Sequence, residues 1–356
     1  MDTLLSPRRR SVLQALGAAA VVAGCGDWRD RPAGAAFEFR GPTMGTTYTV
    51  KIATPGLSEG AREAARAAVA GALDAVVAQM SSYLPDSELS RFNRHDGTAP
   101  FALSPETLAV FALAQEVSAA TAGAFDITVA PVVDAWGFGP SKQHRVVAAA
   151  ERAALAPRVG YRMLAVDTAA GTATKARPDL QADLAAIAKG YGVDRAAVAL
   201  DALGIADYMV EAGGEVRARG RNPEGRPWQI GIEEPDATPQ RARYVVPLAG
   251  QAMATSGDYR IYFERDGRRY SHEIDPATGQ PIRHDLASVS VVAQDCAYAD
   301  AMATALIVLG PERGFAVAER ERLAAYFVVR GADGRLVERQ TPAFAALGGR
   351  AAAAAG

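Results

Sequence analysis

An aspartate and a threonine spaced four residues apart, Asp300 and Thr304, lie in an apolar run near the end of the chain. Four residues are just over one helical turn, so both side-chain oxygens project from one face of a predicted helix. A carboxylate and a hydroxyl aimed at one point suit a hard, oxygen-preferring cation such as Mg²⁺. The alternative is that Thr304 bonds to its own helix backbone while Asp300 is solvated.

Only one of the four histidines, His272, lies in a dense polar motif, between Ser271 and Glu273. In a regular strand, alternation would turn the side chain of His272 away from the face that carries Glu273 and Asp275. An imidazole in this setting is a candidate for proton transfer or nucleophilic attack near neutral pH. A hydrogen-bonded structural histidine is the alternative.

A carboxylate, a lysine and two glycines stand close together where a loop is predicted to enter a helix, at Asp183, Lys189, Gly190 and Gly192. The free N–H groups and positive dipole of a helix start, joined by a lysine, favour a pyrophosphate cradle. A solvated lysine beside a packing glycine is the alternative. Neither the Gly-x-Gly-x-x-Gly fingerprint after a strand nor the Walker Lys-Ser/Thr signature is present, so neither standard nucleotide fold is predicted.

Two further segments suit a flat or phosphorylated ligand. A paired-glycine turn, Gly213-Gly214, is flanked by Glu211 and Glu215 and allows close approach of backbone to a ligand, although it could be only a bulge. Tyr83 is predicted to lie in a loop after a helix, where its ring could stack on a flat cofactor or simply pack.

The elements that position these residues follow from hydrophobic periodicity and turn signals. Helical spacing and cap residues predict helices over 57–80, 104–121 and 147–155, a loop leading into a helix over 183–203, and helices over 297–309 and 312–319. Strands are predicted over 37–53 around a Gly-Pro turn, 208–220, 228–232, 244–254, 259–264 and 268–274 as a hairpin around Asp266-Gly267, 286–292 and 324–330. Residues 123–131 are predicted to be a loop with a short extended piece.

The order of these elements predicts the fold class. Helices come early, strands come late, and hairpins replace regular βαβ alternation, which favours a mixed α+β fold with largely antiparallel sheets and packed helices. One catalytic domain, with two lobes as an option, is predicted over 37–345, and the Ala/Gly-rich tail over 346–356 is predicted to be disordered.

The N-terminus is typical of an export address. Paired arginines before Ser11-Val12-Leu13 resemble a twin-arginine signal, and the apolar run that follows is too short to span a bilayer. Val22-Ala23-Gly24-Cys25 resembles a lipoprotein cleavage box with Cys25 lipidated; an ordinary secretory signal is the alternative. Residues 1–24 are thus predicted to be the signal and 25–36 a tether, which implies a lipoprotein anchored to a membrane and facing the periplasm.

Composition excludes some classes of partner and of scaffold. The net charge of −2 and the scattered basic residues argue against a nucleic-acid partner. The chain has two cysteines, and lipidation of Cys25 would leave Cys296 alone, so no disulfide framework is predicted.

Taken in order, these pieces resemble the ApbE family, the FAD:protein FMN transferases. The resemblance covers residues 37 to 330. The segments that carry it are Met44-Gly45-Thr46, Ser82 to Leu84, Gly123 to Asp126, Asp183 to Asp194, Gly213 to Glu215, Trp228 to Ile232, Ala254 to Tyr259, His272 to Gly279 and Asp300 to Ala305.

The resemblance implies a Mg²⁺-dependent enzyme that cleaves the pyrophosphate of FAD, moves the FMN half onto a Ser or Thr hydroxyl of a partner protein, and releases AMP. A membrane redox-complex subunit is the implied partner. An FAD pyrophosphatase that yields FMN and AMP is one alternative, and a non-catalytic FAD-binding lipoprotein is another.

The resemblance also implies roles for particular residues. His272 matches the catalytic position, and the implied Mg²⁺ ligands are Asp300, Thr304 and the backbone carbonyl of Ala186. The implied FAD-contacting positions are Met44, Tyr83, Ala124, Phe125, Asp126, Asp183, Lys189 and Ile274. Glu215 and Asp258 are weaker candidates for orienting the nucleotide. Ala185 and Ile127 depart from the family's usual residues, and neither change removes a metal or proton-transfer group.

Overall fold

An eight-stranded antiparallel sheet organises the fold, as seen in a computed structural model that describes residues 36–352. The strands in chain order are β1 (Phe37–Thr43), β2 (Thr46–Ile52), β3 (Phe101–Ala102), β4 (Leu164–Asp167), β5 (Thr172–Lys175), β6 (Tyr208–Ala212), β7 (Glu215–Arg219), β8 (Trp228–Glu233), β9 (Ala242–Leu248), β10 (Gln251–Gly257), β11 (Tyr262–Arg265), β12 (Arg268–Ser271), β13 (Ile274–Asp275), β14 (Gln280–Pro281), β15 (Leu286–Ala293), β16 (Ala324–Arg330), β17 (Leu336–Gln340) and β18 (Arg350–Ala351). The large sheet has the order β1-β2-β6-β7-β10-β15-β16-β17.

Helices cover one face of this sheet. The helices are α1 (Glu59–Met80), α2 (Glu88–Arg94), α3 (Pro105–Ala120), α4 (Ala130–Ala135), α5 (Ala149–Leu155), α6 (Ala188–Ala202), α7 (Cys296–Arg320) and α8 (Pro342–Ala345). Helix α7 packs on β10 and β15, while α6 packs between α1 and α7. A smaller sheet, β18-β9-β8, covers the opposite face, with Trp228 and Ile230 in a core shared with Met253 and Tyr326.

Strand β15 shows why burial on both faces erases alternation. Seven of its eight residues are buried, which is the pattern of a strand covered on both sides rather than of an edge facing water. Helix α7 is apolar for the same reason. It is the one described helix with the length and composition of a membrane span, but over half of that stretch is buried inside the protein.

The α+β fold class is confirmed, and most predicted elements lie where expected. Ser58 and Ser104 cap α1 and α3, because their hydroxyls accept hydrogen bonds from the N–H groups of Ala61 and Thr107. The hairpin around Asp266-Gly267 forms with both residues at positive φ, as a two-residue turn requires.

Two local predictions are wrong. The first hairpin turns at Met44-Gly45, where both residues have positive φ, and not at Gly41-Pro42. Gly41 lies inside β1 and packs against Tyr48, whose ring would be 2.7 Å from a Cβ at this position. Residues 123–131 are not extended, since Asp126 caps a 3-10 turn that leads into α4. The two helices predicted over 297–309 and 312–319 are both present, because α7 consists of two helical segments that meet at a kink at Gly310, where φ is 81°.

The predicted disordered tail is also wrong over 346–352. Strand β18 pairs with β9 in this stretch, and Gly349 lies where a Cβ would come 2.4 Å from the ring of Tyr244. The predicted export signal, Cys25 and the tether up to residue 35 lie outside the described residues, as do residues 353–356.

Candidate active site

Two helices meet at close range at Gly190, and we call this contact the helix junction. A Cβ on Gly190 would lie 2.4 Å from the carbonyl oxygen of Cys296, so only glycine lets α6 approach the start of α7. One turn later, the carboxylate of Asp194 accepts hydrogen bonds from the N–H groups of Cys296 and Ala297 at 3.0 and 2.9 Å. Arg217 pairs with the same carboxylate, so the start of α7 is fixed against α6.

Asp300 reaches across the helix junction to the first turn of α6. Its Oδ2 accepts a hydrogen bond from the N–H of Gly190 at 3.0 Å. In a regular helix that N–H would donate to the carbonyl of residue 186, so Asp300 leaves the Ala186 carbonyl oxygen without its helical donor. The structure therefore brings Asp300 to the segment that carries Ala186, as a shared cation would require.

Thr304 lies one turn after Asp300 and faces the sheet. Its hydroxyl is 3.1 Å from the hydroxyl of Ser256 on β10. Asp300 is only 3% exposed, which contradicts the alternative of a solvated aspartate. Both side chains of the predicted pair are therefore directed inward, Asp300 toward the start of α6 and Thr304 toward β10.

A lysine surrounded by carboxylates occupies the same place. The Nζ of Lys189 lies 2.5 Å from Oε1 of Glu215, a side chain that is 1% exposed. Burial alone would lower the pKa of Lys189, but the charges of Glu215, Asp300 and Glu273 outweigh it and raise that pKa. Burial raises the pKa of Glu215 above its ordinary value, although the charge of Lys189 opposes this shift.

These residues fit a divalent cation. Three carboxylates face one ammonium group, so the site carries excess negative charge when they are ionised, and the buried Oε2 of Glu215 has no hydrogen-bond partner among the described residues. Within 36–352, no three His, Cys, Asp or Glu side chains converge as a metal site. The predicted set instead joins one carboxylate to a hydroxyl and a carbonyl, which suits Mg²⁺ that keeps waters or phosphate oxygens as its other ligands.

His272 is held by one carbonyl oxygen. Its backbone N–H donates to the Ile261 carbonyl at 3.0 Å, and its Nδ1 lies 3.1 Å from the same oxygen. Because a carbonyl can only accept, Nδ1 carries the proton of the neutral ring and Nε2 keeps a free lone pair. Burial, and then the charge of Lys189, lower the pKa of His272 to about 4, although 32% of its side chain stays exposed.

Sequence reasoning missed Glu273 as a site residue. The chain bends at His272 between β12 and β13, so the predicted strand alternation fails there. The side chain of Glu273 is 6% exposed, and its Oε1 lies 3.7 Å from Nε2 of His272. Burial raises the pKa of Glu273 to about 8. Nothing in the local pattern signals this bend, because the carbonyl that holds His272 belongs to Ile261, which lies just before β11.

The hairpin formed by β11 and β12, which we call the base hairpin, rests on aromatic rings. Phe138 lies 5.7 Å from Phe263 of the hairpin and 6.3 Å from the imidazole of His272, measured between ring centroids. Tyr83 is half exposed and its hydroxyl donates to the Phe138 carbonyl at 3.1 Å. The ring of Tyr83 is thus joined to the wall beside His272, and its contact with FAD stays a prediction.

At three other predicted FAD contacts, the side chains are buried within the protein. Phe125, Asp126 and Ile274 are buried. The carboxylate of Asp126 accepts from the N–H groups of Thr128 and Tyr161 at 2.8 and 2.7 Å, and burial still raises its pKa. The contact of these residues and of Ala124 with FAD stays a prediction.

The remaining predicted ligand contacts differ in how many bonds their side chains already make within the protein. They are Met44, Asp183 and Asp258. Met44 lies in the first hairpin turn against α6, with its Cε 2.9 Å from where a Cβ on Gly192 would stand. Asp183 accepts from the N–H of Ala185 at 2.7 Å, and burial raises its pKa. Both carboxylate oxygens of Asp258 accept from Arg330 at 2.8 Å, so its use in orienting a nucleotide stays a prediction with a strong competing partner.

The chain is similar to a known protein family and to several named proteins. A family model described as the ApbE family matches residues 44–327. A Vibrio cholerae protein named FAD:protein FMN transferase is 43% identical over 327 residues, which cover 91% of this chain and 95% of the relative. A Haemophilus influenzae protein of the same name is 45% identical over 314 residues, covering 86% and 90%.

Solved structures give the same picture. The flavin transferase ApbE from Vibrio cholerae aligns with a TM-score of 0.81 at 41% identity, covering 88% of this chain and 99% of the other. The flavinyl transferase ApbE from Pseudomonas stutzeri, in its apo form, aligns with a TM-score of 0.80 at 43% identity, covering 89% and 98%.

Proposed function

The chain belongs to the ApbE family, and from this premise we propose that it is a transferase that moves the FMN part of FAD onto a protein. One observation carries the proposal beyond the family match. At the helix junction, Asp300 and Lys189 come together at the start of α6, which supplies a metal-binding carboxylate and a cation at one place for a pyrophosphate. The relatives that support the proposal match this chain over most of its length.

We further propose that the enzyme depends on Mg²⁺ held by Asp300, Thr304 and the carbonyl of Ala186. When bound, the ion would supply charge neutralisation at the pyrophosphate oxygens. The support is the set of carboxylates around Lys189, together with the Ala186 carbonyl, whose helical donor on Gly190 bonds to Asp300 instead. Lys189 itself would offset negative charge that develops as the pyrophosphate bond breaks.

The proton chemistry falls to His272 in this proposal. Its free Nε2 takes the proton of the acceptor Ser or Thr hydroxyl, and the hydroxyl oxygen then bonds to the phosphorus of the FMN half. The bond from that phosphorus to the bridging oxygen breaks, and AMP leaves. The support is the single tautomer that the Ile261 carbonyl allows, which keeps Nε2 available as a base.

The place of action is part of the proposal. The arginine pair, the short apolar run and the box ending at Cys25 support export and lipid anchoring at the periplasmic side of a membrane. An acceptor there would be a subunit of a membrane redox complex. Mass spectrometry of the protein extracted from membranes, with and without Cys25→Ser, tests the anchor, because only the unchanged chain would carry acyl groups.

An incubation with FAD, Mg²⁺ and a candidate acceptor tests the reaction. A mass gain on the acceptor that equals FMN less one water, with release of AMP, is the expected result. AMP with free FMN would identify a pyrophosphatase instead, and unchanged FAD would identify a binding protein. Omitting Mg²⁺ is the matched control, and full turnover without a divalent cation would contradict the metal dependence.

A further inference from the structure

Glu273 is a buried carboxylate that the proposed reaction has not yet used. Its Oε1 lies 3.7 Å from Nε2 of His272. Its N–H donates to the hydroxyl of Ser271 at 3.1 Å, and its carbonyl accepts from the N–H of Ile282 at 2.9 Å. These two backbone contacts fix the residue beside the nitrogen that would take the acceptor's proton.

The separation leaves the base free at rest. At 3.7 Å the two atoms are beyond hydrogen-bond distance, so the carboxylate does not occupy the lone pair of Nε2. Once Nε2 is protonated, however, the imidazolium and the carboxylate attract each other, and the burial of Glu273 strengthens that attraction. The arrangement therefore leaves the neutral imidazole free to take a proton and stabilises the imidazolium once it has formed.

Charged groups from several elements face Glu273. Lys189 of α6 lowers its pKa, whereas Asp300 of α7 and Asp258 after β10 add to the upward effect of burial. At the low pH where His272 titrates, Glu273 is protonated and uncharged, so it does not influence that titration. Its influence begins when the carboxylate ionises at higher pH, where it becomes a better proton acceptor than an ordinary glutamate.

We propose that Glu273 is a positioning residue that stabilises the imidazolium of His272 and then accepts its proton. The inference rests on the proposed FMN transfer, in which the acceptor O–H bond breaks and an Nε2–H bond forms. The attraction between the two charged groups draws Oε1 of Glu273 within hydrogen-bond distance; the Nε2–H bond then breaks, an O–H bond forms on the carboxylate, and the imidazole becomes neutral again. The carboxylic acid loses the proton to water after the products leave, so protons balance over one turnover.

Glu273→Gln, which keeps the shape and removes the charge, tests the role in the full-length enzyme with FAD, Mg²⁺ and acceptor. We expect kcat to fall about 10- to 100-fold while the KM for FAD changes less than about 2-fold. We also expect the wild-type rate to rise between about pH 6 and pH 9 as Glu273 ionises, and the variant to lack this rise.

Two other variants separate a proton role from a structural one. Glu273→Asp keeps a carboxylate, so we expect it to restore the rise with pH and part of kcat. Glu264→Gln, on the exposed end of the base hairpin, makes the same chemical change away from Nε2 and should match the wild type in rate and pH profile. A thermal melt of each variant checks that the fold is retained.

The outcomes are distinguishable from failure of the proposed function. If the wild type does not label the acceptor, the transfer proposal and this inference both fall. If the wild type labels the acceptor and Glu273→Gln keeps the same kcat and pH rise, only the role of Glu273 is overturned. A variant that loses kcat but keeps the pH rise would also overturn it, since that result is the mark of a purely structural residue.

Discussion

The candidate site has two halves, the helix junction and the base hairpin. The groups proposed to hold the cation lie in the core at the helix junction, whereas His272 lies at the end of the peripheral base hairpin. Asp300 lies on α7, which packs against the central strands of the large sheet. Strands β11 and β12, by contrast, pair only with each other in the described sheets. The two halves of the site thus differ in how much of the fold they depend on.

Ring stacking takes the place of sheet bonds at the base hairpin. The rings of Trp136, Tyr270, Phe263 and Phe138 form a continuous series with centroid separations of 5.6, 5.1 and 5.7 Å. Such contacts tolerate small shifts, while a helix contact made through glycine does not. We infer that substitutions at the junction change stability and activity together, and that substitutions at the hairpin change chemistry with less effect on the fold.

The largest effect is expected from Asp300→Ala, which removes the only carboxylate of the proposed ligand set. Turnover should fall about 10⁴-fold, because several kcal/mol of charge stabilisation disappear with the metal. Calorimetric titration with Mg²⁺ should show no binding. The Mg²⁺-free melting temperature should fall as well, because the buried N–H of Gly190 loses its acceptor and Lys189 loses one of its counter-charges. Retained turnover would remove the junction from the metal site.

His272→Ala should keep FAD binding and lose about 10²- to 10⁴-fold in kcat, the usual contribution of a general base. The melting temperature should change little, because the side chain is partly exposed on a peripheral hairpin. Single-turnover assays and FAD titration by fluorescence measure the two quantities separately. A large drop in melting temperature would break the contrast between the two halves.

Gly190→Ala tests how little room the helix junction leaves. The new Cβ would clash with the backbone of Cys296, so we expect a loss of about 1–3 kcal/mol or more in the free energy of unfolding, with activity falling alongside. Gly71→Ala in α1 is the matched control, since a Cβ there meets nothing within 4 Å. That change should stabilise the protein by up to about 1 kcal/mol in chemical denaturation.

The smallest effect is a decline in Mg²⁺-free stability above neutral pH. Burial raises the pKa of Glu211 to about 7 and that of Glu273 to about 8, so the folded state holds protons that the unfolded state has lost. This contribution is complete below the unfolded value near 4.5 and is lost as pH rises through 7 and 8.

His272 acts in the opposite direction at lower pH. Its folded pKa of about 4 lies below its ordinary 6.5, so its contribution grows as pH rises from 4 to 6.5. The two effects oppose each other in that window, and only the carboxyl effect remains above it. Melting temperatures should therefore fall between pH 6.5 and 9, by less in Glu273→Gln; a rise over that range would contradict the assignment.

Local chemistry explains what the sequence predicted well. Ser58 and Ser104 are recognisable caps, and Asp266-Gly267 is a recognisable hairpin turn, because the rules involve residues within four positions of each other. The turn at Met44-Gly45 escaped prediction because methionine seldom adopts positive φ. Strand β18 escaped because pairing with the distant strand β9, not its own composition, defines it.

In the candidate site too, local spacing was predictable from the sequence and contacts between distant residues were not. The spacing of Asp300 and Thr304 predicted a shared helix face, but only the family resemblance connected that face to Ala186. The sequence held no sign that Arg330 would take both oxygens of Asp258, or that Asp126 would be used to cap a turn. Contacts of this kind join residues far apart in the chain, and neither periodicity nor turn chemistry encodes them.

The last strand sets a practical limit on how this protein is best produced. Because β18 completes a small sheet against β9, ending the chain at residue 345 would uncover that sheet's edge and the ring of Tyr244. An uncovered edge strand invites pairing between molecules. Expression vectors should therefore retain the C-terminal residues and add any affinity tag beyond them, since shortened versions are expected to precipitate.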